Sequence, residues 1–334
     1  MNIDEIARRA KVSIATVSRT LNQSGAVRPV TARKVWRAAA ELNYYPNSHA
    51  RALVSGRSRL LGLIVSDITN PFFPELIRRF EALAAARQYD LMLTSTDYET
   101  SRMTNCLRRM LERKVDGVAI MTSEMDTGLI RELSRRGVPL VFMDVGQVGP
   151  RMSHVLIDYA NGIRQAVDHL VELGHKRIAF ISGPLDLHSA RTRRQAFVDG
   201  MRAHKLPPER RLIREGTHTA EGGQEAMEAL LRLAKRPSAV VCSNDWTAIG
   251  ALHAIDAAGL RVPADVSLVG FDDIPLVSYT HPPVTSVRMS AGDVGAKAID
   301  ALFKLIDGER HEGDVYHVPT RLVVRASTAK PKRA

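Results

Sequence analysis

From Leu60 onward the chain alternates short, almost wholly apolar runs with longer amphipathic stretches, and few architectures accept that alternation. The runs are LLGLIVSD (60–67), YDLMLTSTD (89–97), VDGVAIMTS (115–123), VPLVFMDV (138–145) and SHVLID (153–158), with helical spacing over 74–88, 100–113 and 127–136 between them. A second series follows: RIAFISG (177–183), SAVVCSN (238–244) and VSLVGFDD (266–273), interleaved with helices over 160–173, 189–204, 221–235 and 246–258. Strands this apolar have no face for water, so they belong in parallel sheets covered by helices on both sides. The two series predict two doubly wound lobes. Ligands of such sheets bind beyond the carboxyl ends of the strands. Those ends carry Asp67, Asp97, Asp144, Asp158, Asn244 and the pair Asp272-Asp273.

The first 59 residues have a different texture. They hold eleven Lys/Arg against three acids, whereas the remaining residues hold 36 against 33, so most of the net charge of +11 sits in a small part of the chain. An asymmetry this local points to a module that binds a polyanion rather than to an evenly solvated surface. Ile6, Ala7 and Ala10 give a first helix its inward stripe, with Asn2 and Glu5 spaced as a capping box. Lys11-Val12 forms a turn, Ser13 caps a second helix from Ile14 to Leu21, and Pro29 opens a third that buries Val35, Ala38, Ala39 and Leu42. Two helices joined by a tight turn and closed by a third make the helix-turn-helix plan. The stretch 47–59, NSHARALVSGRSR, reads as a linker with latent helicity that folds only against a partner.

The chemistry that is missing narrows the function. No dinucleotide or P-loop glycine pattern, no H-E-x-x-H and no G-x-S-x-G occurs, so an enzyme is not expected, and neither a cofactor nor a metal is implied. Cys106 and Cys242 are far apart and read as reduced, buried thiols. No apolar run is long enough to span a membrane, and MNIDEIARRAKV lacks the apolar region of a signal peptide, which together place the expected location in the cytoplasm.

Several segments then carry a family resemblance: TVSRTLN after a helix and turn, Tyr45-Pro46-Asn47, LGLIVSDITNPFF, HLVELGHKRIAFISG, SNDWTAIGAL and DVSLVGFDDI. In this order they resemble the lactose/galactose-repressor (LacI/GalR) family of bacterial transcription regulators, over residues 2 to 328. The resemblance implies an all-α helix-turn-helix DNA-binding domain (1–45), a hinge helix (46–59) and an α/β periplasmic-binding-protein-like core of two doubly wound parallel-sheet lobes (60–328). Lobe one would comprise 60–158 and 289–328, lobe two 159–288, and 329–334 would be a basic tail. It further implies a homodimer on double-stranded DNA carrying a palindromic operator, and a small-molecule effector between the lobes. The tail lacks the leucine heptads of a tetramerising coiled coil.

Carried over position by position, Ile14 and Ala15 fall where such repressors approach base edges, where they can offer only apolar contact, for instance to a thymine methyl. Arg19 falls where an arginine meets a base or a phosphate. Ser13, Thr16, Ser18 and Asn22 suit phosphate oxygens, Ser13 also serving as a helix cap. In the hinge, Asn47, His49, Ala50 and Leu53 match the segment that folds on the operator, with Leu53 either wedged between base steps or buried against the partner hinge. For the effector, Phe72 and Phe73 either stack on a ring or anchor their loop; Arg193, Asn244 and Asp272 match the family's polar set. Asp144, Asp158, His218 and Trp246 complete the candidates. An arginine among several acceptors and aromatics suits a carbohydrate, although Arg193 alone suits a carboxylate or phosphate equally. Lys11 stands where the family usually has glycine, Arg28 precedes Pro29 in place of a small capping residue, and Ala196 replaces the glycine before Phe197. The rival readings are a sugar receptor without DNA function, which the basic N-terminal region disfavours, and an enzyme on the same lobes.

Overall fold

The computed structural model describes residues 3–21, 25, 27–44, 56–122, 127–144 and 146–332. The chain divides into two compact units, Met1–Arg59 and Leu60–Ala334.

In the first unit α1 (Ile3–Ala10) and α2 (Ile14–Leu21) are joined by a turn, and α3 (Pro29–Glu41) closes the core. Its interior is small: Ile6, Ala7, Ala10, Val17, Leu21, Val35, Ala38 and Ala39, with Val12, Leu42 and Tyr44 packed against it. The turn is made by Lys11 at φ 54°. Ser13 caps α2 as expected, its Oγ accepting from Thr16 N at 3.2 Å. Arg28 precedes α3 without a side-chain cap, and Pro29 occupies the first turn. Glu41 ties α1 to α3 by accepting from Arg9 Nε at 2.9 Å and from Arg37 Nε at 3.1 Å. Asn2, named for the first cap, lies outside the described residues.

The second unit is built on two six-stranded sheets. The first lobe contributes β1 (Leu60–Val65), α4 (Phe72–Ala86), β2 (Asp90–Ser95), α5 (Thr100–Glu112), β3 (Gly117–Met121), α6 (Thr127–Arg135), β4 (Leu140–Met143) and β5 (Met152–Ile157). The second contributes α7 (Tyr159–Glu172), β6 (Ile178–Ser182), α8 (His188–Ala203), β7 (Ile213–Glu215), α9 (Ala220–Leu231), β8 (Ala239–Cys242), α10 (Asp245–Ala257), β9 (Ser267–Asp272) and β10 (Thr285–Arg288). The chain then returns to the first lobe for α11 (Ala291–Ile306) and β11 (Val315–Val318), and ends in the second with β12 (Arg321–Val323). The strand orders are β11-β5-β4-β3-β1-β2 and β12-β10-β9-β8-β6-β7. Pairing is parallel except between β10 and β12.

The central strands are those the apolar runs predict, and every residue of β3, β4, β6, β8 and β9 is buried. One expected boundary changes. Residues 289–328 do not all belong to the first lobe, because β12 pairs with β10 in the second sheet, Ser286 opposite Val323. Beyond β12 the chain stays on that sheet: Ser327 Oγ donates to Leu268 O at 2.6 Å and Ala329 N to Ser267 Oγ at 3.1 Å. The start of the basic tail is therefore held rather than loose, and Lys332 pairs with Asp265. Cys106 and Cys242 are both buried thiols. Among the described residues no helix is long and apolar enough to cross a membrane, and no group of His, Cys, Asp or Glu could hold a metal.

Candidate functional site: a cleft in the core and an exposed helix face

The carboxyl ends of the two sheets enclose a cavity of about 60 Å³. Of the sequence candidates, the structure brings Phe72, Phe73, Asp144, Arg193, His218, Asn244 and Asp272 to its wall. Asp158 and Trp246 are not among the described residues that line it. Asp158 is exposed and caps α7, its Oδ1 accepting from Asn161 N at 3.0 Å. Trp246, half-buried on the first turn of α10, lies next to the lining residue Asn244 without reaching the cavity.

Arg193 on α8 is the centre of the arrangement. Its Nη1 donates to Ser243 O at 3.0 Å, and its Nη2 lies 3.9 Å from Asp272 Oδ1. The guanidinium carbon is 4.4 Å from the ring centroids of both Tyr159 and Phe271, so cation–π attraction fixes its plane. Its Nε has no hydrogen-bond partner among the described residues. Burial pushes Asp272 up to about 7 even though Arg193 pulls the other way, so desolvation outweighs the ion pair here. Asp144 is likewise raised by burial, against Arg193 and a hydrogen bond with the Tyr159 hydroxyl. Burial lowers His218 to about 3, with Arg193 adding to the effect, so its imidazole is neutral. Asp144 Oδ1 and His218 Nε2 are buried without hydrogen-bond partners among the described residues. Three unmatched polar atoms, a donor on Arg193, an acceptor on Asp144 and an imidazole nitrogen, thus belong to one cavity wall.

Local backbone geometry aims these groups. Asp144, His218 and Asp272 all have positive φ, at 86°, 63° and 102°, at or beyond the carboxyl ends of β4, β7 and β9. Gly183 is required beside His218: a Cβ there would lie 1.9 Å from the imidazole Nε2. Asn244 borders the cavity with both polar atoms committed, Oδ1 accepting from Thr247 N at 2.9 Å and Nδ2 donating to His218 O at 3.0 Å. Its role in this geometry is to cap α10 and hold the His218 loop. Phe72 and Phe73 meet edge to face at 5.5 Å, and Asn70 Oδ1 accepts from Phe72 N at 3.0 Å. They anchor their loop, as one of the two readings has it, and they also wall the cavity.

Sequence reasoning missed Tyr159, Tyr98, Leu187, Ser189 and Met289 in the lining. Tyr159 directly follows the strand-end Asp158, and that adjacency was its signal. It also missed Asp245, whose buried carboxylate accepts from Ile274 N at 2.8 Å and Ser286 Oγ at 2.6 Å, bracing the turn that carries Asp272 and Asp273. Burial raises Asp245 well above the usual carboxylate range.

The first unit presents an exposed surface instead. Ile14, Ala15 and Arg19 are exposed on α2, and Thr16 and Ser18 are half-buried beside them. Ser13 and Thr16 pair through their hydroxyls at 2.9 Å. Asn22, Asn47, His49, Ala50 and Leu53, together with most of the expected hinge, lie outside the described residues.

Comparison with known proteins matches each unit. The family model described as bacterial regulatory proteins, lacI family, matches residues 2–47, and the periplasmic binding protein-like domain matches residues 167–328. The chain is 31% identical over 329 residues, 98% of its length and 99% of the relative's, to the HTH-type transcriptional repressor PurR of Aliivibrio salmonicida. It is similar to the lac repressor dimer bound to operator and the anti-inducer ONPF, with a TM-score of 0.88, 30% identity, and 98% and 99% of the two chains covered. It is also similar to the complex of the transcriptional regulator CelR with cellobiose, with a TM-score of 0.73, 31% identity, and 98% and 99% covered.

Proposed function

The chain belongs to the LacI/GalR family of transcriptional repressors, whose DNA binding is controlled by an effector, and on that premise we propose that its effector is a carbohydrate. The observation that carries this is the unmatched polar set around Arg193: a donor, a carboxylate acceptor and a neutral imidazole, with two carboxylates against one guanidinium. A polyhydroxylated neutral ligand both donates and accepts at each carbon, and so can satisfy all three. A second anion would face Asp144 and Asp272 with Arg193 already shared. The relative solved with cellobiose supports the same ligand class.

On the DNA side, Ile14 and Ala15 make apolar contacts in the major groove and Arg19 pairs with a guanine edge or a phosphate, with Ser13, Thr16 and Ser18 setting register. Asn22 contributes to that register, and Asn47, His49, Ala50 and Leu53 form the hinge contacts. The regulator acts in the cytoplasm as a homodimer on a palindromic site, with residues 46–59 as the hinge between a DNA-binding domain and the effector-binding core. Effector binding shifts the population between DNA-competent and DNA-incompetent states.

A thermal-shift screen tests the ligand class: neutral mono- and disaccharides raise the melting temperature, because binding to the native state stabilises it by mass action. A shift with purine bases and none with sugars would overturn the carbohydrate reading. Fluorescence anisotropy of a duplex selected by the protein, with and without the active sugar, then reads the coupling.

A further inference from the structure

The turn between α1 and α2 combines a conformation and a residue type that do not suit each other. Lys11 sits at φ 54°, in the left-handed region where a Cβ is crowded by the backbone and glycine is not. The bonds that close the turn, Lys11 N to Arg8 O at 3.3 Å and Val12 N to Ala7 O at 3.0 Å, are backbone bonds that glycine would make equally well. The lysine side chain does not repay the strain inside the unit: it is exposed, and among the described residues it enters no ion pair. Its neighbours behave differently, since Arg9 and Arg37 are both bound to Glu41. What Lys11 does share is an open groove with Arg8, Ser13 and Ile14, the residues at the start of the helix that presents the DNA-facing side chains. Lys114 and Lys205 adopt the same backbone at other helix ends, at φ 53° and 58°, so what singles out Lys11 is its place in this groove at the start of α2.

We propose that Lys11 is a phosphate-contacting residue of the DNA interface, its ammonium neutralising a backbone phosphate beside the bases that α2 approaches. The contact reads charge and position, not sequence, so it strengthens specific and non-specific binding alike. The left-handed lysine carries a cost, borne by the stability of the first unit.

The two effects have opposite signs, and Lys11→Gly separates them in the full-length chain. In that variant, amide exchange in α1 and α2 slows by roughly five-fold, since the strain is gone. Binding to a short duplex of scrambled sequence weakens, and the slope of log affinity against log salt between about 50 and 200 mM falls by about one per bound protomer. Lys11→Arg keeps the wild-type slope. Lys11→Asn, neutral and tolerant of the left-handed region, loses the same slope as the glycine variant. An unchanged slope in Lys11→Gly overturns the phosphate contact, and a slope lost in the glycine variant alone marks a disordered turn and overturns it too. Faster exchange in both Lys11→Gly and Lys11→Asn overturns the assignment of strain. A wild-type chain without salt-dependent binding removes both this contact and the reading of α2 as the DNA-facing helix.

Discussion

On α2 the side chains proposed to meet DNA are solvated, with Ile14 51% exposed, whereas in the cleft Arg193 is 5% and Asp272 7% exposed. The difference follows from what each region binds. DNA is a large polyanion whose affinity comes mainly from the release of its counterions, so contacting groups lose little by staying solvated until it arrives. A small ligand offers no such reservoir. Its site must bury polar groups beforehand and leave some of their hydrogen-bonding capacity unmet, which is costly in a folded core. The large second unit, with its two covered sheets, can tolerate that cost; the first, with eight small or medium apolar residues at its centre, cannot. The unit with the smaller core therefore carries its function outside, and the unit with the larger core carries it inside.

The sharpest way to break this comparison is Arg193→Ala. Removing the guanidinium leaves Asp144 and Asp272 buried together, which destabilises the second unit by about 3–5 kcal/mol and abolishes any sugar-induced thermal shift. Salt-dependent binding to a scrambled duplex stays near wild type at temperatures where the core remains folded. A parallel loss of DNA binding would show that the regions are not separable in this way.

Asp272→Asn gives a smaller, pH-dependent effect. The folded value of about 7 lies above the roughly 3.9 of an unfolded aspartate, so the native state holds the proton more tightly. The stabilisation from that proton is complete below about pH 4 and is lost as the pH rises through 7. Urea unfolding at a series of pH values should show the wild type losing on the order of 4 kcal/mol against Asp272→Asn across that window. Parallel curves would mean that Asp272 is no more costly to ionise than an exposed residue. The smallest effect separates two adjacent residues on α2. Ser13→Ala removes a cap and costs the first unit about 1 kcal/mol, whereas Ile14→Ala changes stability by less than about 0.5 kcal/mol and alters which duplexes are selected. If Ile14→Ala destabilised as much as Ser13→Ala, its side chain would belong to the core and not to the DNA face.

How legible each part was depends on how local its cause is. The buried central strands stand out because every residue in them is apolar on both faces. The short edge strands do not: Ile213–Glu215, Val315–Val318 and Arg321–Val323 are mostly exposed or half-buried, and their pairing is set by tertiary contact. Helix α11 begins with Gly292 and Gly295, which weaken its local helical signal. In the site, Arg193 and Asp272 were legible through the family resemblance and Asp144 through its place at a strand end. Asp158 had the same position and a different fate, because a carboxylate just before a helix serves equally well as its cap. Tyr159 and Asp245 were hidden, since nothing in one sequence marks a tyrosine that meets a guanidinium or an aspartate that braces a turn. Gly270 is the trace Asp245 leaves: a Cβ there would lie 2.1 Å from the Asp245 Oδ1.

The strands that close the two sheets, β11 and β12, follow all the others in the chain. On a translating ribosome the helix-turn-helix unit is complete after its first 59 residues, long before either lobe can finish its sheet. A nascent regulator is thus equipped to grip DNA before it is equipped to respond to a signal. Premature termination between β1 and β12 would release a product that carries the whole first unit without a finished second one.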